Sequence, residues 1–200
     1  MSHHNDQPLS QEALDALFYQ ARTYNAWEER DIPDQLLHQL HDLVKMGPTS
    51  ANCCPMRVVF VKSEEAKAKL KDCLMEGNIA KTMTAPVCAI IGMDMRFHDQ
   101  LPKLFPHTDA KSWYEGKEQF IESTAFRNSS LQGGYFIMAA RALGLGCGPM
   151  SGFSPKKINE TFFADTHIKV NFLCNLGYGT EKDLFPRSPR FDFEEANSII

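Results

Sequence analysis

Five segments carrying hydroxyl, amide, glycine, proline or basic side chains recur along the 200 residues: Ala21 to Trp27, Gly47 to Met56, Asn78 to Lys81, Gly148 to Phe153 and Phe185 to Arg190. Each reads as lying just outside a regular element, and loops that meet in space build sites. Arg22, Lys81, Arg187 and Arg190 bring cations, and Thr49, Ser50 and Asn52 bring hydroxyl and amide groups that both donate and accept hydrogen bonds. Such a set suits an anionic, polar ligand better than bond-making by the protein itself. No G-x-S-x-G or H-E-x-x-H accompanies it.

Other familiar motifs fail on context. Gly144, Gly146 and Gly148 follow a helix rather than a strand, and Pro149 stands where a dinucleotide fingerprint needs its third glycine. Gly116-Lys117 runs into Glu118, so it is no phosphate loop. His38 and His41 lie three apart without a third ligand of fixed spacing, which reads as a solvated helix face, and no metal is expected. The six cysteines include no C-x-x-C. Four of them sit in apolar or helical runs as core residues do, and the Cys53-Cys54 pair reads as packing.

The elements that must position these segments follow from periodicity. Ser10 caps a helix with Leu14, Leu17, Phe18 and Ala21 on one stripe, and a second helix after Pro33 turns Leu36, Leu40, Leu43 and Val44 inward. Strands are expected over Val58 to Val61, Val87 to Met93 and Val170 to Leu176, with helices over Glu64 to Leu74, Phe120 to Leu143 and from Ser154-Pro155. Asp94 to Lys117 is too long for a simple connection and reads as a lid or wall of a site. Helices outnumbering three or four strands indicate a mixed α/β layering around a small sheet.

Composition narrows the class. One domain over 1–200 is expected, with 1–9 flexible. Apolar residues at 43% and charged residues at 23% exclude collagen-like and disordered chains. A net charge of -4 gives no footprint for nucleic acid or an anionic membrane. No apolar run reaches bilayer length, and the polar Met1 to Ser10 does not resemble a secretory signal, so a cytoplasmic location is expected.

Taken in order, the five segments resemble the nitroreductase family of FMN-dependent oxidoreductases, over essentially the whole chain from about Leu14. The resemblance implies an α+β fold: a three-layer α-β-α sandwich with a small, mostly antiparallel sheet, a long helix at a homodimer interface, and a C-terminal arm exchanged with the partner. It further implies that Arg22, Thr23 and Asn25 hold the FMN phosphate. The family's usual Arg-Arg-Ser-x-Arg is here Ala21-Arg22-Thr23-Tyr24-Asn25. Arg190, with Arg187 second, looks like the C-terminal phosphate segment.

Pro48, Thr49, Ser50 and Asn52 match the loop that reaches the partner's flavin, with Cys54 and Met56 in place of the usual glutamine and tryptophan. Asn78 and Lys81 match an Asn-x-x-Lys beside the flavin N1 and O2, where a cation would stabilise the charge of the reduced ring. Pro149, Ser151 and Gly152 match a turn whose backbone N–H groups face N5 and O4, and Asn128 matches an amide near the partner's flavin.

The same resemblance implies ping-pong hydride transfer from NAD(P)H through the flavin, with no catalytic acid-base side chain. Finer likeness from Gly47 to Asn52, Leu101 to Trp113 and Glu122 to Ser130 points to the branch containing malonic semialdehyde reductase of pyrimidine degradation, which makes 3-hydroxypropionate. There Arg57, His107, Lys111 and Arg127 are candidates for holding the acceptor's acid group. A generic nitro or quinone reductase, and a flavin-binding protein without turnover, are the alternatives.

Overall fold

A computed structural model describes residues 6–200. Of the 1–9 segment expected to be flexible, residues 1–5 lie outside the described residues, and 6–9 are exposed. In chain order the elements are α1 (Gln11–Leu14), α2 (Asp34–Val44), β1 (Met56–Val61), α3 (Glu64–Lys71), α4 (Glu76–Thr84), β2 (Val87–Asp94), α5 (Leu101–Leu104), α6 (Glu118–Ala142), β3 (Gly146–Met150), α7 (Pro155–Phe162), β4 (Ile168–Gly177) and α8 (Phe193–Ala196). The strands form one sheet in the order β1-β2-β4-β3, every neighbouring pair antiparallel.

The central strand β2 reads Val-Cys-Ala-Ile-Ile-Gly-Met-Asp and is buried almost throughout, so both faces of the sheet must be covered. Side chains alternate between those faces. Val87, Ala89, Ile91, Cys174 and Leu176 pack against Leu37, Leu40 and Val44 of α2 and Phe136, Ala139 and Ala140 of α6. Cys88, Ile90, Val170 and Leu173 pack on the other face against Leu70 of α3, Ile158 of α7 and Phe163. The result is the three-layer α-β-α sandwich expected. Each fully buried aliphatic side chain in these layers contributes roughly 1.5–3 kcal/mol.

A bulge locks the long helix to the sheet. The register of β2 with β4 shifts between Ile91 and Gly92, leaving Asn171 without a partner residue in β2. Its amide instead donates to Ser129 Oγ at 2.8 Å and Ser130 Oγ at 2.9 Å on α6. Gly144, at φ +77°, ends that helix in the left-handed turn that its sequence position predicts.

Several expectations are corrected. Asn78 to Lys81 lies inside α4, and Gly148 lies in β3, rather than just outside regular elements. The third helix stops at Lys71, not Leu74. The first helix changes to π geometry over Asp15–Tyr19, and Phe18 is exposed, so its stripe does not face the core of this chain. On α2 the buried set is Leu37, Leu40 and Val44, whereas Leu43 is exposed. The 94–117 stretch is a packed wall: Phe97, Leu101, Ala110 and Tyr114 are buried with Cys53 and Ala125.

Close approach decides one sheet position. A Cβ at Gly177 would stand 2.7 Å from the Pro86 ring and 2.7 Å from the Trp27 ring, neither of which can fold away. Gly177→Ala is expected to lower unfolding stability by about 1–3 kcal/mol through overpacking, read as a lower urea midpoint at unchanged slope.

Candidate functional site

Four of the five segments converge at one end of the sheet. The chain after Tyr19 runs beside β3: Thr23 forms a parallel bridge with Cys147, and the Tyr24 N–H donates to the Cys147 carbonyl at 3.1 Å. Trp27 bridges to Gly179 beyond β4, and its indole Nε1 donates to the Lys81 carbonyl of α4 at 2.9 Å. Asn78 Nδ2 donates to the Gly152 carbonyl at 2.8 Å, and the Met75 N–H to the same oxygen at 3.0 Å, so the turn after β3 is clasped to the first turn of α4. Neither the Ser151 nor the Gly152 N–H has a backbone partner among the described residues.

The tail closes the same cluster. Arg22 donates to the Phe185 carbonyl, Asn25 Nδ2 to the Asp183 carbonyl at 3.1 Å, and Arg187 to the carbonyls of Tyr19 at 2.7 Å and Ala21 at 3.1 Å. Arg187 is therefore the tail arginine brought to the 19–25 segment. Arg190 spends Nη1 on the Ser188 and Pro189 carbonyls of its own turn, at 2.9 and 3.0 Å. Each guanidinium keeps further donors for an anion, since it carries five N–H groups.

The fifth segment makes a second cluster with α6, and among the described residues no hydrogen bond joins it to the first. Asn128, 1% exposed, accepts the Ser50 N–H at 2.8 Å and donates to the Thr124 carbonyl at 2.9 Å. Its amide thus holds the loop from behind rather than facing a ligand of its own. Asn52 donates to the Leu104 carbonyl at 2.9 Å, and Thr49 Oγ1 accepts the Cys54 N–H at 3.1 Å. Ala51, Asn52 and Cys54 all take positive φ, at 49°, 49° and 39°, a strain of the kind held at binding sites by surrounding structure. Pro48 is exposed and Thr49 half-buried in this loop. Burial pushes the Cys53 thiol up to about 11, which keeps it protonated and inert at neutral pH.

The four candidate acceptor cations divide. Arg57 donates to Asp94 at 2.7 Å and to the Cys54 and Met56 carbonyls at 3.0 and 2.9 Å, and Lys111 pairs with Asp99 at 2.9 Å. Both charges are already met by carboxylates. His107 is exposed, with its ring edge-on to Phe105, and Arg127 is exposed on α6 with no ion pair among the described residues.

This arrangement is matched elsewhere. Residues 4–178 match the Nitroreductase family. The chain belongs to that family. It is 64% identical over 191 residues to a protein of Burkholderia lata named "putative NADH dehydrogenase/NAD(P)H nitroreductase", an alignment covering 96% of this chain and 98% of the other. Two solved structures share the fold at lower identity. One is a "putative nitroreductase in complex with FMN" from Exiguobacterium sibiricum, with TM-score 0.82, 18% identity, and 96% of this chain and 99% of that one covered. The other is an enone reductase, CLA-ER, of gut-bacterial fatty acid saturation, with TM-score 0.83, 17% identity, and 96% and 100% covered. These two likenesses show the fold alone, and fold does not fix the acceptor.

Reading residue types along the chain missed Trp27 and Asn175 as partners of Lys81, and the carbonyls of Asp183 and Phe185 as partners of Asn25 and Arg22. No local pattern marks contacts separated by 54 to 163 residues.

One ion-pair knot in the wall is pH-sensitive. The Lys111 ammonium, and after it Arg96, holds the Asp99 carboxyl below the ordinary carboxylate range. A depressed carboxyl stabilises the fold above its unfolded value, near 3.9, and that contribution is lost as pH falls through the folded value. Acid unfolding of Asp99→Asn, followed by near-UV circular dichroism, is expected to be less steep below about pH 4 than that of the parent, from a lower starting stability.

Proposed function

We propose that the chain, as one domain of a cytoplasmic homodimer, is an NAD(P)H-dependent flavin oxidoreductase that passes hydride to a small acceptor. The observation that carries this reading is the convergence of Arg22, Arg187, Lys81 and the unpaired Ser151 and Gly152 amides at one end of the sheet. The donor set fits FMN in detail. Guanidinium groups suit its phosphate, hydroxyl and amide groups its ribityl chain, and a cation and backbone N–H groups its ring edge. FMN, when bound, would supply hydride transfer through N5.

The protein's own residues do the rest. Arg22, Thr23, Asn25 and Arg187 bind the phosphate end. Lys81, whose Nζ has no ion pair among the described residues, places positive charge beside the pyrimidine edge, where reduction puts negative charge. Asn78 holds the Gly152 turn so that its amides stay aimed at the ring. The Asn128-supported loop with Pro48, Thr49, Ser50 and Asn52 completes the site of the second chain.

Two features support the dimer. The outer face of α6 exposes Phe120, Phe126, Leu131 and Tyr135, and the tail exposes Phe185, Phe191, Phe193 and Ile199. Apolar surface of that extent calls for a cover. A groove of about 710 Å³ between α2, β1 and α6, lined by Leu37, Val44, Phe60 and Phe136, suits the apolar side chains of the exchanged tail, Phe191 and Phe193 among them.

For the acceptor, we propose a small aldehyde acid of the malonic semialdehyde type, with Arg127 as the group that holds its carboxylate, since Arg57 and Lys111 are paired internally. The generic nitro or quinone reductase is the coarser form of the same reading. The purified protein is expected to be yellow, to release FMN on denaturation, and to oxidise NAD(P)H with parallel lines in initial-rate plots. Colourless protein that takes up no FMN, or yellow protein without NAD(P)H oxidation, would overturn the assignment. Arg127→Ala is expected to raise KM about tenfold or more for malonic semialdehyde and to leave a quinone unaffected. A wild-type kcat/KM higher on nitroaromatics than on the semialdehyde would reject the narrower substrate.

A further inference from the structure

The C-terminus of α4 caps itself only in part, through Thr84 Oγ1, which donates to the Ala80 carbonyl at 3.1 Å and more weakly to the Lys81 carbonyl at 3.5 Å. Pro86 follows Ala85 and forces it into extended geometry, at ψ 137°, so the last carbonyls of the helix lose their i+4 donors. Side chains from three other parts of the chain take over. Lys67 Nζ, 8% exposed, donates to the Ala85 carbonyl at 2.7 Å and the Met83 carbonyl at 3.4 Å. The Lys81 carbonyl receives Trp27 Nε1 at 2.9 Å and Asn175 Nδ2 at 3.3 Å.

Asn175 is the odd member. It is fully buried near the C-terminal end of β4, between Gly148 of β3 and Cys88 of β2, where an aliphatic side chain would pack. Its Nδ2 serves the Lys81 carbonyl and Thr82 Oγ1, the latter at 3.1 Å, while its Oδ1 has no partner at all among the described residues. An unpaired buried acceptor is a standing cost, tolerated where the other half of the group is needed. What it is needed for is the backbone of Lys81.

We infer that Trp27 and Asn175 are positioning residues: together they clamp the Lys81 carbonyl and so fix where its ammonium stands against the reduced flavin. This rests on the flavin reading above and deepens it. A point charge on a flexible four-carbon stem selects between oxidised and reduced FMN only if its root is held, because electrostatic stabilisation depends on preorganisation. Lys67 caps the same helix end without touching Lys81, so it separates helix capping from the clamp.

The test measures FMN affinity in both redox states, by titration of the apoprotein and by the midpoint potential of the holoprotein. Trp27→Phe keeps an aromatic ring, smaller than the indole, and deletes the donor. It is expected to lower the ratio of reduced to oxidised affinity three- to tenfold, tenfold being about 30 mV for a two-electron couple. In a Lys81→Met background it is expected to change that ratio no further. Asn175→Ser is expected to act in the same direction and stands in should the tryptophan variant fail to fold. Lys67→Met is expected to lower the melting temperature and leave the ratio alone.

An unchanged ratio in Trp27→Phe, the same fall with Lys81 absent, or an equal fall in Lys67→Met would overturn the clamp while FMN binding by the parent stands. A parent chain that binds no FMN would instead overturn the flavin reading, and the clamp with it.

Discussion

β2 and β4 are buried on both faces, and most of the architecture is a response to that. Two adjacent strands buried over most of their length cannot leave either side to water, so α2 and α6 cover one face while α3 and α7 cover the other. Once both faces are occupied, the ends of the sheet remain as the places where polar segments can meet solvent. The 22–27 segment, the end of β3, α4 and the 183–187 tail gather at one such end because the faces are taken.

Burial of the sheet also explains why the site is held by backbone groups. Thr23 and Tyr24 pair with Cys147, Trp27 with Gly179, and the Gly152 carbonyl with Asn78 and Met75. These contacts cost few side-chain functions, which leaves Lys81, the two turn amides and the remaining arginine donors for a ligand. The exceptions are two buried amides bonded to chain segments of the site: Asn128 accepts the Ser50 N–H, and Asn175 donates to the Lys81 carbonyl. Both convert core rigidity into the placement of a surface loop or helix.

Helix and strand positions with strong periodicity were legible from the residues alone. The caps at Ser10 and Ser154 accept the N–H groups their positions predict, and Gly144 ends α6. Besides the short α5 and α8, two elements at the site were not legible. α4 has glycine at its second position, only Ile79 and Met83 as large apolar residues, and a threonine as its buried residue, while β3 reads Gly-Cys-Gly-Pro-Met, nearly without strand-forming side chains. Each is made by its neighbours: β3 by the free edge of β4, α4 by the side chains that cap its end.

The chain by itself determined which residue types a site could use and that the fold is a mixed layering. Those are properties of composition and local spacing. Only the tertiary structure decided which cations remain available, because Arg57 and Lys111 meet carboxylates 37 and 12 residues away in sequence. It also brought Arg187 to the 19–25 segment and set Trp27 and Asn175 on one carbonyl. Such pairings depend on how the sheet closes, and sheet closure is a long-range balance of burial that no short stretch of sequence encodes.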